Sequence, residues 1–175
     1  MVFAKDAGAP AVIVVMGVAS SGKTSLGERL AERLGWPFRD ADSFHPPENV
    51  AKMSSAIPLT DEDRKPWLAA IAAWIDELRT RGDNGIVTCS ALKKAYREVI
   101  VGDRPDVALV YLKGSRELIG QRMAARQHHF MPPALLDSQF ATLEEPGADE
   151  NPLVVQIEAS KEALVEQVLR ELRLG

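Results

Sequence analysis

A chain of 175 residues with a formal net charge of −4 is long enough to bury a sizeable core, and its acidic balance argues against a nucleic-acid partner held on a broad basic face. Hydrophobic residues make up 46% and charged residues 26%, as in ordinary globular proteins, and no apolar run is long enough to span a membrane. The single cysteine, Cys89, excludes an intramolecular disulfide and suits a reducing, cytoplasmic location.

In chain order, a flexible tail at 1–10 is expected first, and apolar β-rich runs then alternate with segments of helical periodicity. The predicted strands are 11–16, 37–40, 85–89, 107–112 and 152–157, and the predicted helices are 23–34, 49–55, 60–80, 92–101, 115–126 and 160–172. This alternation predicts an α/β fold in one domain over 11–175, a five-stranded parallel sheet with helices on both faces. Residues 127–146 interrupt the alternation, and we interpret them as a mobile lid.

The first strand leads directly into a phosphate-binding loop of the form G-x-x-x-x-G-K-[ST]. Its residues, the expected ATP contacts, are Gly17, Val18, Ala19, Ser20, Ser21, Gly22, Lys23 and Thr24. The glycines let successive N–H groups surround an anion, Lys23 can reach the β- and γ-phosphates, and the Thr24 hydroxyl can ligate Mg²⁺. A glycine-rich turn with an incidental lysine is the alternative, but the strand before the loop and the helix after it favour the phosphate site.

Two carboxylates follow the second strand. Asp40 and Asp42 lie where a parallel sheet brings loops towards the phosphate site, which suggests that Asp40 holds Mg²⁺ through water and that Asp42 accepts a proton from a substrate hydroxyl. A polar turn is the alternative. His45 could hydrogen-bond a polyol or only orient the turn, and it has no histidine or cysteine partner at metal-ligand spacing.

Arg64 lies in the first turn of the predicted helix 60–80, where the helix dipole disfavours a cation. A cation in that position is a candidate for binding an anionic substrate. An ion pair with Asp61 or Asp63 is the alternative. Trp67 and Trp74 lie on the apolar stripe of the same helix and are expected in the core.

The third strand is followed by Ser90 and by a basic segment. The start of the predicted helix 92–101 could bind a carboxylate, with Lys93 or Arg97 adding positive charge. A solvated basic face is the alternative, which we favour for Lys94. Cys89 ends a buried strand and is expected to be a small core residue.

Arg122 and Arg126 are four residues apart and therefore share one helix face. Like charges at this spacing are unfavourable unless an anion lies between them, so we interpret both as stabilising a transferring phosphoryl group, with Arg122 also contacting ATP. An exposed basic stripe paired with Glu117 is the alternative.

The chain resembles the small gluconate kinases (gluconokinases), which are related to shikimate and nucleoside monophosphate kinases. The matching segments extend over nearly the full length and are MGVASSGKT, DADSFHP, ENVAKM, PLTDEDRKPWL, CSALKKAYR, VYLKG, HHFMP…LLDSQFATLEEPGADE and VVQI. The resemblance implies a P-loop NTPase fold, Mg²⁺, a closing lid, a homodimer, and ATP-dependent phosphorylation of D-gluconate at its 6-hydroxyl.

With this activity, the expected roles are as follows. The catalytic residues are Lys23, Asp42, Arg122 and Arg126; the gluconate contacts are Asp42, His45, Arg64, Ser90, Lys93 and Arg97; the Mg²⁺ contacts are Thr24 and, through water, Asp40. Which cation holds the gluconate carboxylate stays open between Arg64, Lys93 and Arg97.

Two other functions are weighed against this one. A kinase for another small acceptor, such as shikimate or a nucleoside monophosphate, is disfavoured by PLTDEDRKPWL and CSALKKAYR. A nucleotide-dependent switch without turnover is disfavoured because Lys23, Thr24, both aspartates and both arginines are present. The sequence also lacks an Asn-Lys-x-Asp segment, the usual signature of guanine selection.

Overall fold

The computed structural model describes residues 8–125 and 133–174. The strands are β1 (Val12–Met16), β2 (Phe38–Asp40), β3 (Gly85–Thr88), β4 (Val107–Lys113) and β5 (Leu153–Gln156). The helices are α1 (Lys23–Leu34), α2 (Pro47–Ser54), α3 (Asp61–Arg81), α4 (Lys94–Ile100), α5 (Arg116–Ala125), α6 (Pro133–Thr142) and α7 (Lys161–Glu171), with 3-10 turns at Ala41–Phe44 and Ala148–Glu150. The predicted alternation of strands and helices is confirmed, with small shifts at the ends of several elements.

The strands form one parallel sheet in the order β2-β3-β1-β4-β5. The central strand β1 has all five residues buried, because β3 and β4 flank it and helices cover both faces. A strand that is buried on both faces has a continuous apolar sequence, so VIVVM does not alternate between apolar and polar residues. The predicted five-stranded parallel sheet is confirmed.

The two faces of the sheet bury separate apolar clusters. Ile13 and Val15 point into a cluster with α1, α5, α6 and α7, whereas Val12, Val14 and Met16 point into a cluster with α3 and α4. Successive side chains of a strand point to opposite faces, so β1 supplies both cores.

Helix α3 begins at a capping box formed by Thr60 and Asp63. The Thr60 hydroxyl accepts from the Asp63 N–H at 3.1 Å, and the Asp63 carboxylate accepts from the Thr60 N–H at 2.9 Å. Two backbone N–H groups at the helix start are satisfied in this way, and the first turn that carries Arg64 is fixed in place.

Part of the segment interpreted as a lid is a helix. Residues 127–132 lie outside the described residues, and α6 occupies 133–142, with Leu136 fully buried against the cluster that contains α5. Two adjacent prolines are typical of a loop, but Pro133 is the first residue of α6, a position in which proline is well tolerated. The sequence analysis therefore missed helix α6.

The carboxyl ends of β2, β3 and β1 lie side by side. Asp40 pairs with Thr88, and Thr88 pairs with Val15, one residue before the end of β1. The phosphate-binding loop, the two aspartates and the segment after β3 therefore emerge at the same edge of the sheet, the usual position for ligand sites in open α/β folds.

Candidate active site

The loop between β1 and α1 is held in a tight conformation by its glycines. Gly22 caps α1 at φ 100°, a region that favours glycine, and a Cβ at Gly17 would come within 2.6 Å of the Ser21 hydroxyl. Lys23 folds over the loop, and its Nζ donates to the Gly17 carbonyl at 2.9 Å and to the Val18 carbonyl at 3.1 Å. The Lys23 ammonium therefore lies directly over the loop at the N-terminus of α1, where anions bind.

The loop separates two clefts. We call the first, about 350 Å³ in volume, the Asp42 cleft. The predicted site residues that line it are Lys23, Thr24, Asp40, Asp42, His45, Arg64 and Ser90, together with Ala19 of the loop. We call the second, about 520 Å³, the Arg122 cleft; it is lined by Ser20, Ser21 and Gly22 of the loop, by Arg122, and by residues 157–161. A ligand bound to the loop could extend into both clefts.

The two aspartates at the end of β2 have different environments. Asp40 is the N-cap of the 3-10 turn, and its Oδ1 accepts from the Asp42 N–H at 2.9 Å. Partial burial raises the pKa of Asp42, and the nearby charge of Asp40 raises it further, against the opposing effects of His45 and Lys23. A carboxylate with a raised pKa is a stronger base, which suits Asp42 for accepting a proton.

His45 lies flat against Trp67. Their ring centroids are 4.5 Å apart with planes inclined by 10°, and the Trp67 indole N–H donates to the Ala41 carbonyl at 2.7 Å. Burial lowers the pKa of His45 more than the charge of Asp42 raises it, and Arg64 lowers it further. Trp67 is buried, as predicted, and it also forms part of the cleft wall.

Arg64 is held at the cleft by polar groups of neighbouring elements. Its Nη1 donates to the Leu59 carbonyl at 2.9 Å and to the Tyr96 hydroxyl at 3.3 Å, and within residues 8–125 and 133–174 these are its hydrogen bonds. Asp61 is engaged elsewhere, since it accepts from Tyr96 at 2.6 Å and from Lys93. These contacts stand in place of the ion pair of Arg64 with Asp61 or Asp63 that the sequence analysis weighed, and no residue in the described part of the chain accepts from Nη2 or Nε of Arg64.

Lys93 and Arg97 do not line the Asp42 cleft. Lys93 forms an ion pair with Asp61 at 3.1 Å. Arg97 is 1% exposed, and its Nε and Nη2 donate to Glu150 at 2.7 and 3.2 Å. The charge of Arg97 is compensated inside the protein, so the structure places Arg97 in a buried ion pair and outside the cleft where the sequence analysis expected it to contact substrate.

The start of α4 binds a carboxylate from the protein itself. Glu144 Oε1 accepts from the Lys94 N–H at 3.0 Å, and the Lys94 ammonium pairs with Asp149 at 2.8 Å. Helix starts attract carboxylates, as the sequence analysis argued, but the carboxylate at this helix start is that of Glu144. Ser90, by contrast, lies in the Asp42 cleft.

Of Arg122 and Arg126, the structure describes only Arg122, which lies on α5. Arg122 lines the Arg122 cleft beside the loop, and its Nη2 donates to the Ile157 carbonyl at 2.6 Å rather than pairing with Glu117. Arg126 lies outside the described residues.

Cys89 is buried, and burial raises the pKa of its thiol to about 12, as expected for an inert core cysteine.

The polar groups near Thr24 are compatible with a magnesium ion shared with bound phosphates. Thr24 and Asp40 line one cleft, and Thr88 of the same cleft has a buried Oγ1 with no hydrogen-bond partner among the described residues. The described residues hold no cluster of three or more histidine, cysteine or carboxylate side chains around a common point. Mg²⁺ commonly binds through one or two protein ligands, waters and substrate phosphates, so this sparse set fits it.

The sequence analysis missed two residues: Gln139, which lines the Asp42 cleft, and Asn49, which lies behind His45. The side chain of Gln139, on α6, accepts from the Ala19 N–H at 2.6 Å, 120 residues away in sequence. Asn49, on α2, is 2% exposed and contacts the ring of His45. The buried polar character of Asn49 cannot be read from its sequence neighbours, and nothing in the sequence places α6 over the phosphate-binding loop.

No helix in the described part of the chain is both long enough and apolar enough to cross a membrane.

Comparison with known proteins gives consistent results. The family model described as shikimate kinase matches residues 19–173. A gluconokinase from Gluconobacter oxydans (strain 621H) is 44% identical over 164 residues, which cover 94% of this chain and 92% of that protein. A solved structure of a sugar kinase from Janibacter sp. HTCC2649 is 45% identical with a TM-score of 0.86 and covers 95% of this chain and 96% of that one. The structure of a gluconokinase from Sinorhizobium meliloti 1021 is 44% identical with a TM-score of 0.83 and covers 95% and 93%.

Proposed function

Because this chain belongs to the gluconokinase family, we propose that it transfers the γ-phosphoryl group of ATP to the 6-hydroxyl of D-gluconate. The observation that carries the proposal is the division of the phosphate-binding loop between two clefts, with a carboxylate, an imidazole and a guanidinium together on one side. A linear sugar acid needs groups of this kind, a cation for its carboxylate and hydrogen-bonding groups for its hydroxyls. The phosphoryl donor would lie in the Arg122 cleft and bind the same phosphate-binding loop.

We assign the nucleotide to the loop and the Arg122 cleft. The loop N–H groups and Lys23 would bind the phosphates, and Arg122 would stand beside them. Thr24 and, through water, Asp40 would hold Mg²⁺, which supplies charge neutralisation on the phosphates when bound. The buried Ser21 hydroxyl, which has no partner among the described residues, faces this same ligand region.

We assign gluconate to the Asp42 cleft. Asp42 would accept the proton of the attacking hydroxyl, and its raised pKa strengthens it in that role. Arg64 would hold the substrate carboxylate, because its Nη2 and Nε are not used by protein groups in the described chain and because Lys93 and Arg97 are engaged by Asp61 and Glu150. His45 and Ser90 would contact hydroxyls along the substrate.

Further parts of the proposal rest on the family resemblance. We propose that Arg126 joins Arg122 at the transferring phosphoryl group, that the segment around 127–146 closes over the ligands, and that 11–175 is one domain preceded by a tail. A homodimer in the cytoplasm, with no nucleic-acid or membrane partner, completes the proposal.

The experiment is a coupled assay of ADP release with Mg²⁺-ATP and a panel of acceptors: gluconate, other aldonates, shikimate and nucleoside monophosphates. We expect turnover with gluconate far above the others. Stimulation by a different acceptor alone would contradict the assignment of substrate and leave that of a kinase standing.

Arg64 allows a sharper form of the same test. Loss of a charge-assisted contact in Arg64→Gln should raise the KM for gluconate about 10–100-fold and leave the KM for ATP nearly unchanged. The matched control is Lys65→Gln, since Lys65 is exposed and pairs with Glu62 on the helix surface. An unchanged gluconate KM in Arg64→Gln would remove Arg64 from the site.

A further inference from the structure

The buried amide of Asn49 lies between His45 and the first turn of α3. Its Nδ2 donates to the Asp63 backbone carbonyl at 2.8 Å and lies 3.2 Å from His45 Nδ1. Asn49 is 2% exposed, so these contacts are shielded from bulk solvent. One nitrogen therefore bridges a backbone oxygen and an imidazole nitrogen.

The chemistry of this bridge fixes the position of the hydrogen atoms. A backbone carbonyl only accepts, so the Asn49 atom that faces Asp63 O must be the NH₂ group, since the flipped amide would bring two oxygens together. The second hydrogen of the same NH₂ then points at His45 Nδ1, which must offer a lone pair. A ring with Nδ1 unprotonated carries its proton on Nε2.

We propose that Asn49 is a positioning residue that keeps His45 neutral with its proton on Nε2, so that His45 donates a hydrogen bond to the substrate and does not act as a base. Assignment of the tautomer stands on the geometry alone. The statement that the donor serves a gluconate hydroxyl rests on the proposed function.

The rest of the ring environment leaves Nε2 as the functional atom. One face of the ring is covered by Trp67, and the Nδ1 edge is covered by Asn49. His45 lines the Asp42 cleft, and no protein acceptor for Nε2 is found within residues 8–125 and 133–174. A ligand in the cleft can therefore take the Nε2 hydrogen.

The charges around His45 oppose one another. Asp42 favours the protonated ring, whereas Arg64 and burial favour the neutral ring. Lys52 and Asp63 also lie near Asn49, but they form an ion pair with each other at 2.8 Å. Protonation of Nδ1 would turn its lone pair into an N–H that faces the Asn49 NH₂, so the amide adds a specific barrier to the charged form.

The consequence is a division of roles in the cleft. Asp42 can only accept hydrogen bonds when ionised, and His45 held in this tautomer can donate through Nε2. A polyol hydroxyl both donates and accepts, so the pair can engage neighbouring hydroxyls with opposite polarity. Asn49 thereby acts on the substrate through His45 without touching it.

The test is the tautomer and pKa of His45, read from long-range ¹H–¹⁵N correlations of the imidazole ring without any ligand. The chain has three histidines, and a His128→Gln, His129→Gln variant assigns the signals of His45. We expect Nδ1 to show the unprotonated shift and the pKa to lie below the ordinary value of 6.5. The Nδ1–H tautomer, or a ring protonated at neutral pH, in the otherwise unchanged protein would overturn the proposal.

Asn49→Leu removes the amide at similar volume. We expect the pKa of His45 to rise by about half a unit to one unit, the value of one hydrogen bond, and both tautomers to be populated. The acid limb of kcat/KM for gluconate should move by the same amount. The matched control is Asn84→Leu, because Asn84 is half-buried and its Nδ2 donates to the Ala11 carbonyl at 3.1 Å, away from the cleft.

Each outcome decides one part of the inference. An unchanged pKa and tautomer in Asn49→Leu, or an equal change in Asn84→Leu, would overturn the role of Asn49. A change in the NMR signals with no change in the gluconate kinetics would overturn only the link to the substrate. The NMR result does not depend on whether gluconate is the acceptor, which the acceptor panel decides separately.

Discussion

Replacement of Arg97 by methionine separates a structural role from a substrate-binding one. The Arg97 guanidinium donates to both carboxylate oxygens of Glu150 and to the carbonyls of Ala91 and Leu92, at 2.7 to 3.2 Å. The side chain of Arg97 is 1% exposed and that of Glu150 is 13% exposed. Arg97→Met leaves the Glu150 carboxylate buried without its partner.

The size of the effect follows from this burial. Removal of one partner of a buried ion pair costs about 3–5 kcal/mol, and the low end applies because Glu150 keeps some contact with water. A loss of about 3 kcal/mol lowers the melting temperature by roughly 6–12 °C in a chain of this size. The double variant Arg97→Met, Glu150→Leu should recover much of the loss, since no unpaired charge remains.

The assay combines denaturant unfolding with the gluconate KM measured well below the melting temperature. We expect a large loss of stability with a KM within about twofold of the starting value, because Arg97 lies outside the Asp42 cleft. The control is Lys94→Met, whose exposed pair with Asp149 contributes less than about 1 kcal/mol. Unchanged stability together with a strongly raised gluconate KM would refute the reasoning and return Arg97 to the substrate site.

The other two predictions concern the Asp42 cleft. Asp42→Asn should lower kcat by about 10²–10⁴-fold with little change in the ATP dissociation constant. In the unsubstituted enzyme, kcat should fall as the pH drops through the raised pKa of Asp42, because the base must be ionised. A fall in ATP affinity alone would remove Asp42 as the base. Gln139→Leu removes the acceptor for the Ala19 N–H and loosens the contact between α6 and the loop, so gluconate-independent ATP hydrolysis should rise about fivefold relative to transfer, measured as phosphate release. Ser138→Ala, on an exposed position of the same helix, is its control, and an unchanged ratio in Gln139→Leu would contradict the role of this contact.

The parts of the fold that were predictable are those governed by local patterns. The strand VIVVM is a continuous apolar run, α1 ends at Gly35 with φ 67°, and α3 begins at the Thr60–Asp63 capping box. Each signal lies within a few residues in the sequence. Parallel strands bring their carboxyl ends together, so the strand pattern alone predicts that Asp40 and Asp42 lie beside the phosphate-binding loop.

The parts that could not be predicted depend on contacts between distant segments. Arg97 and Glu150 are 53 residues apart, and only tertiary packing shows that the guanidinium turns inward rather than towards a substrate. Gln139 contacts Ala19, 120 residues away in the sequence, and it lies on α6, a helix that the sequence pattern did not predict. Charge alone leaves Arg64, Lys93 and Arg97 as candidate cations for the substrate carboxylate, and only the fold shows how they differ in burial and in existing partners.

The most direct test of the central claim is a ³¹P NMR spectrum of the reaction of the protein with Mg²⁺-ATP and D-gluconate. The account predicts a new phosphomonoester resonance, coupled to the two hydrogens of a primary carbon and formed mole for mole with ADP. Inorganic phosphate without an ester, or an ester on a secondary carbon, would contradict the assignment of gluconate and its 6-hydroxyl to the Asp42 cleft.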